Sequence, residues 1–451
     1  MKRFYLILSA ALLALGTFSA SAAEKAEPKN NFKLYGFIRN YFVYDSRESV
    51  SGTGDLFYYM PKDVNMKDGV DIHDQGSFSY LSLTSRLGVD VSGYYVNNVH
   101  FGAKIEGDFY SGLSSVDSQK YPVSSYFPGN TKVSGTATAR LRQAYATVTW
   151  KELGEEKQNT VALKIGQAWH PMAADIPHIF SLEAGAPFGP FSRTPLVQMD
   201  ANLGKNWVLS AAAIWQMQYQ SNGPVGSSAN YMKYGMTPEM YAALAYKSNG
   251  FLVRAGVDLL SIKPRVLGSV NDKVIKVNDR KTSVLGYVYT QYTYKKFALK
   301  AKSTFGQSGE HLNLMSGYAK IGGENSDGSW NYESLRNSSS WLSMTYGKKW
   351  QGVLFLGYMK NLGLAEAASA PLAKGDVYFC GNGFSNLNQI YRINPQLIYN
   401  IGKLNLGFEY QWTAVQYGDY KEGKLNEYGL ATDNLHWVGN NRVNVMVKYN
   451  F

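Results

Sequence analysis

Residues 404–412, LNLGFEYQW, alternate without interruption. Leu404, Leu406, Phe408, Tyr410 and Trp412 share one side, and Asn405, Gly407, Glu409 and Gln411 the other. A period of two belongs to a strand with one apolar face. The last residues repeat it, with Val443, Val445, Val447, Tyr449 and Phe451 set against Arg442, Asn444, Met446, Lys448 and Asn450. Comparable runs occupy 32–45, 79–93, 99–111, 137–150, 160–169, 195–204, 206–218, 238–247, 251–262, 282–295, 297–306, 339–348, 352–363, 391–402, 404–417 and 435–451. They make about 16 segments of about 10 residues, the length of a tilted strand crossing a bilayer.

The connections alternate as well. Short turns such as SNG before Phe251 and GK before Leu404 separate long stretches at 46–76, 112–136, 170–194, 219–237, 263–281, 307–338, 364–390 and 418–434. A soluble sandwich gives no reason for this asymmetry, whereas a membrane barrel has short turns at one rim and long loops at the other. The pattern therefore predicts an all-β fold: a transmembrane antiparallel β-barrel of about 16 strands, with short periplasmic turns and long extracellular loops. Because an open sheet edge is excluded in hydrocarbon, the first strand must pair with the last. Trp150, Trp207 and Trp350 fall at short-turn ends, and Trp169, Trp215, Trp341, Trp412 and Trp437 toward long-loop ends, where two interfacial girdles are expected.

Composition agrees with strands: the 451 residues include 44 Gly, 34 Tyr and 21 Phe. The N-terminus MKRFYLILSAALLALGTFSASA has a basic start, an apolar run and a small-residue end, the order of a secretory signal peptide over 1–22. A short periplasmic leader, 23–31, and the barrel, 32–451, would follow it. Lys2 and Arg3 leave with the signal, taking two from the net charge of +11 and leaving +9. The basic residues are scattered singly rather than clustered beside stacking aromatics, so nucleic acid is not the partner they describe. Cys380 is the single cysteine, which excludes an intramolecular disulfide.

With the apolar parity turned to lipid, the lumen receives Arg39, Arg86, Arg140, Arg142, Arg254, Arg392 and Arg442, with Lys104, Lys164, Lys300 and Lys302. Glu106, Asp108, Asp258 and Glu409 join them as acids. These are the candidate pore-lining residues, and the basic surplus points to a weak anion preference. In the fourth run Val148 and Trp150 share parity with Arg140 and Arg142, which calls for a bulge between them. The stretch 170–194 is rich in Pro, Gly and Phe, unlike a loop in solvent, so it is expected to fold inward. His170, Asp175, His178, Glu183 and Arg193 are then candidates for a constriction. His170 and His178 offer metal-binding nitrogens, but the loop brings no third ligand at a useful spacing, so no metal and no cofactor is assigned.

The stretches KLYGFIRNYFVYDSR, SRLGVDVSG, KIEGDFYSG, ARLRQAYATVTW, KIGQAWHP, GYMKNLG and YRINPQLIYNIGK, with the terminal Phe451, resemble the 16-stranded, usually trimeric outer-membrane porins of Gram-negative bacteria, DcaP-like and Bacteroidetes-type members above all. The resemblance spans the mature chain and implies an outer-membrane channel for small hydrophilic solutes and ions, assembled as a homotrimer among lipid and lipopolysaccharide. It implies an inward third loop at 170–194. It also implies that Tyr449 and Phe451 belong to a signal for the barrel-assembly machinery. Two departures stand out: only Asp175 and Glu183 are available where general porins carry an acidic loop cluster, and AEKAEPKNN is too short for the coiled-coil leader of DcaP-like members. Other functions open to such a barrel are a substrate-specific channel, an adhesin or a structural barrel with a plugged lumen, or an enzyme. No spacing of Ser, His and acid singles out a catalytic triad.

Overall fold

The structure, a computed structural model, describes residues 29–52, 57–82, 84–110 and 138–451. The expected signal peptide and the connection 112–136 lie outside the described residues. Within them the alternating runs become one closed antiparallel barrel of 16 strands. The strands are β1 (Asn31–Asp45), β2 in two pieces (Ser77–Leu81 and Arg86–Ser92), β3 (Val99–Tyr110), β4 (Thr138–Leu153), β5 (Asn159–Trp169), β6 (Arg193–Leu203), β7 (Trp207–Ile214) and β8 (Glu239–Ser248). The second half runs β9 (Phe251–Ile262), β10 (Lys281–Tyr294), β11 (Phe297–Gln307), β12 (Arg336–Gly347), β13 (Trp350–Gly363), β14 (Leu387–Ile401), β15 (Leu404–Asp419) and β16 (Asp433–Asn450). Each pairs with its chain neighbours, and β1 closes on β16 from Phe37 opposite Asn450 to Asp45 opposite Arg442. Among the described residues no helix is long and apolar enough to cross a membrane.

The alternation sorts the side chains. On β1, Ile38, Phe42 and Tyr44 are exposed while Tyr41 and Val43 are buried; on β15, Phe408 and Tyr410 are exposed while Glu409 and Gln411 are buried. The outer surface is thus an apolar band, and the polar parity turns to the bore.

Three details depart from the sequence pattern. β7 stops at Ile214 rather than continuing to 218. There the Gln216 side chain donates to Ser221 Oγ (2.9 Å) and accepts from its N–H (3.0 Å), turning the chain out of the sheet. β2 is interrupted between Leu81 and Arg86, where the Arg39 N–H donates to Ser85 Oγ at 3.0 Å. Trp341 and Trp169 do not sit in a girdle. Trp341 lies on the buried parity of β12 and packs on Tyr289, with ring centroids 6.2 Å apart. Trp169 packs edge-on to Phe191 of the following loop at 5.1 Å. Trp207, Trp350 and Trp437 are exposed, each beside a tyrosine (Tyr246, Tyr399 and Tyr391).

Short connections, such as 249–250, 295–296, 348–349 and 402–403, join strands at one rim. The long ones gather at the other, where segments 317–321, 331–334 and 377–379 form a small separate sheet. The largest buried core lies inside the barrel toward this rim, where Met172, Phe188, Leu312, Met315, Phe355 and Met359 pack together.

Candidate functional site

The core inside the barrel exists because residues 170–192, between β5 and β6, fold into the bore. Phe180, Phe188 and Phe191 are all buried there. Two of these rings rest on wall glycines. A Cβ at Gly357 of β13 would stand 2.4 Å from Phe188 Cγ, and one at Gly407 of β15 would stand 2.9 Å from the Phe180 ring. Main-chain groups of the loop are bonded by the opposite walls: Tyr41 of β1 donates its hydroxyl hydrogen to Phe180 O, and Gln396 Oε1 of β14 accepts from the Phe180 N–H at 3.1 Å.

Charges complete the seating. Asp175 pairs with Arg254 of β9, and Glu183 pairs with Arg392 of β14 at 3.2 Å. Arg392 also donates to Ala186 O (3.1 Å) and to Thr413 Oγ1 (2.9 Å). Lys302 donates to Met172 O, and Lys300 to Ile176 O at 3.2 Å. His178 is exposed, and its Nδ1 lies 3.0 Å from Thr345 Oγ1. Arg193, at the loop's end, stacks 4.9 Å from the Trp169 ring centroid and donates to Gln218 Oε1 at 3.1 Å.

The charged residues of the inner parity fall into two groups. Glu106, Asp108, Arg142, Asp258, Lys302, Arg392, Glu409 and Arg442 are buried, sealed by neighbours rather than open to the bore. Arg442, for example, meets Asp45 at 2.9 Å. Arg39, Arg86, Lys104, Arg140, Lys164, Arg254 and Lys300 keep part of their surface open. The acids predicted to line the pore are thus covered, while most of the bases are not. Asp90, Asp175 and Asp200 are the half-buried acids that remain beside them.

β3 and β4 carry a linked set of ion pairs in this wall. Arg140 grips Asp108 with two bonds, 2.8 and 2.9 Å. Arg142 reaches both Glu106 (3.0 Å) and Asp108 (2.7 Å). Two arginines so close in sequence share these acids because the register shifts between Leu141, opposite Gly107, and Gln143, opposite Glu106. Arg142 is the extra residue of a β-bulge, which turns it inward and reverses the parity beyond it. On β1 the Phe37 ring is ringed by three cations: Arg39 (4.8 Å), Arg86 (5.1 Å) and Lys448 (4.5 Å from the centroid).

A second cluster was not visible in the sequence. His170 Nε2 lies 2.8 Å from Glu239 Oε1, and His311 Nε2 lies 3.0 Å from the same oxygen. Asp258 stands 3.9 Å from each imidazole. The spacing within 170–194 gave His170 no partners, because Glu239, Asp258 and His311 come from β8, β9 and the loop after β11. Only the order of strands around the barrel brings them together.

A closed barrel of 16 antiparallel strands with a long loop folded into its bore is the architecture of outer-membrane porins. No protein-family model matches the chain, and no curated protein sequence matches it. Among solved structures, the chain is similar to the outer membrane channel DcaP of Acinetobacter baumannii, with a TM-score of 0.62 at 18% identity, over 96% of this chain and 100% of that one. It is also similar to the anion-selective porin from Comamonas acidovorans, with a TM-score of 0.51 at 9% identity, over 94% and 100%. At these identities what is shared is the fold.

Proposed function

We propose that the chain is an outer-membrane porin of a Gram-negative bacterium, a water-filled channel for passive diffusion of small hydrophilic solutes and ions with a weak preference for anions. The observation that carries this reading is the unequal exposure inside the bore. Arg39, Arg86, Lys104, Arg140 and Lys164 keep open surface, whereas Glu106, Asp108 and Glu409 are buried. Water and ions passing the inward loop would meet a net positive wall, which raises the local concentration of anions. The similarity in fold to a porin described as anion-selective supports the same direction. In this reading residues 170–192 are the constriction, with Asp175 and His178 beside the path and His170, Glu183 and the flanking Arg193 as buried anchors.

The outer apolar band would face lipid and lipopolysaccharide, and three copies would assemble in the membrane. Tyr449 and Phe451 would present the signal for the assembly machinery. Planar-bilayer recording of the purified protein tests the channel. Silent insertions would remove the porin reading, three-step conductance supports a trimer, and a reversal potential of cation sign in a salt gradient would remove the anion preference. The three cations around Phe37 favour a second reading, a channel specific for one class of anionic solute. Conductance that saturates with that solute would support it.

A further inference from the structure

We propose that His170, Glu239 and Asp258, with His311 as a fourth donor, form a structural site for one divalent transition-metal ion of the zinc type. One ligand atom from each of His170, Glu239 and Asp258 lies within 4.8 Å of the others. All four side chains are nearly sealed from solvent, at 0%, 1%, 1% and 3% exposure for His170, Glu239, Asp258 and His311. Glu239 Oε2 and Asp258 Oδ1 are buried and make no hydrogen bond, and each belongs to a carboxylate that faces the imidazoles. Two carboxylates packed together away from water need a compensating positive charge.

Imidazole nitrogen and carboxylate oxygen are the ligands zinc takes, and four donors on a tetrahedral ion with bonds of about 2.0–2.2 Å stand about 3.3 Å apart. The separations from the two imidazoles, 2.8, 3.0 and 3.9 Å, bracket that value, so small side-chain shifts would close the shell. Coordination through His170 Nε2 places the ring proton on Nδ1. The Met172 N–H, which donates to Nδ1 at 3.1 Å, must then turn away. The ion would tie the start of the inward loop (His170), two adjacent wall strands (Glu239 and Asp258) and the loop after β11 (His311) into one knot at the long-loop rim.

The alternative that uses the same atoms is a proton-only network, in which Glu239 accepts from both imidazoles and Asp258 is protonated. Metal analysis of the full-length protein, extracted in detergent without chelator, separates the two. The site predicts about one zinc per chain. Protein stripped with chelator and refolded with Co²⁺ alone should show the visible bands of a four- or five-coordinate ion, with imidazole ligation by X-ray absorption. Glu239→Gln and Asp258→Asn proteins that keep heat-modifiable barrel migration should bind Co²⁺ at least about 100-fold more weakly, since losing a ligand costs more than the roughly 10–100-fold of losing an outer-shell partner. A metal-free wild type that gives no cobalt spectrum overturns the site. So does undiminished Co²⁺ binding by the folded Asp258→Asn protein. If neither variant folds, the wild-type spectrum and metal content decide alone.

Discussion

Cys380 sits where two long connections meet inside the rim: its N–H donates to Ser316 O at 2.8 Å, and its Sγ lies 3.7 Å from Asn313 Oδ1. Burial pushes the thiol up to about 12, so almost none is thiolate at pH 8, and the thiolate is the reactive form. We expect the folded protein to resist a maleimide at that pH and to be labelled once after denaturation. Rapid labelling of the folded barrel would mean that these connections open. Alternation assigns a face to each charged residue without reference to the fold, except where a bulge intervenes, as at Arg142. Its partner was not legible in the sequence. Lys300 and Lys302 were expected on open channel surface, yet both donate to carbonyls of the inward loop, which no parity argument supplies.

Elements fit together through shape as much as charge, and the inward loop shows how. Phe188 fills the space over Gly357, and Phe180 the space over Gly407, so these strand positions lack side chains where the rings approach. Gly357→Leu places carbon where Phe188 now lies. Overpacking of this kind costs about 1–3 kcal/mol. We expect the loop to unseat while β12, β13 and β14 keep their register. Bilayer conductance should rise and proteolysis within 170–192 should quicken, at unchanged heat-modifiable migration. Unchanged conductance would mean that the loop adapts in place. The loop's apolar composition pointed to burial of its rings; their sockets were not legible, since a glycine in a strand reads equally as a bulge or a bend.

At the scale of the whole molecule, closure is the governing requirement, and it was legible because hydrocarbon forbids an unpaired edge. The Phe451 N–H donates to Gly36 O at 3.1 Å and its carbonyl accepts from the Gly36 N–H at 3.3 Å. Gly36 also leaves room for the ring, since a Cβ there would stand 2.5 Å from it. Deleting Phe451 removes both bonds at the seam and should impair assembly, read as the fraction of heat-modifiable barrel, far more than the selectivity of the channels that do form. Normal assembly of the shortened chain would refute this. The buried cluster of His170, Glu239, Asp258 and His311 lies beyond sequence reading for the opposite reason: it depends on which strands are neighbours around the circle.

The bulge at Arg142 leaves one consequence for how such a wall can change. Elsewhere in a strand, losing one residue slides everything beyond it onto the opposite face. Here Leu141 already opposes Gly107 and Gln143 already opposes Glu106. Excising Arg142 would let the two halves of β4 join with every other pairing intact. A single-codon deletion, ordinarily ruinous in a barrel, would there keep every face of the strand and cost only the buried pairing to Glu106 and Asp108, shifting the reversal potential toward cations in the barrels that fold.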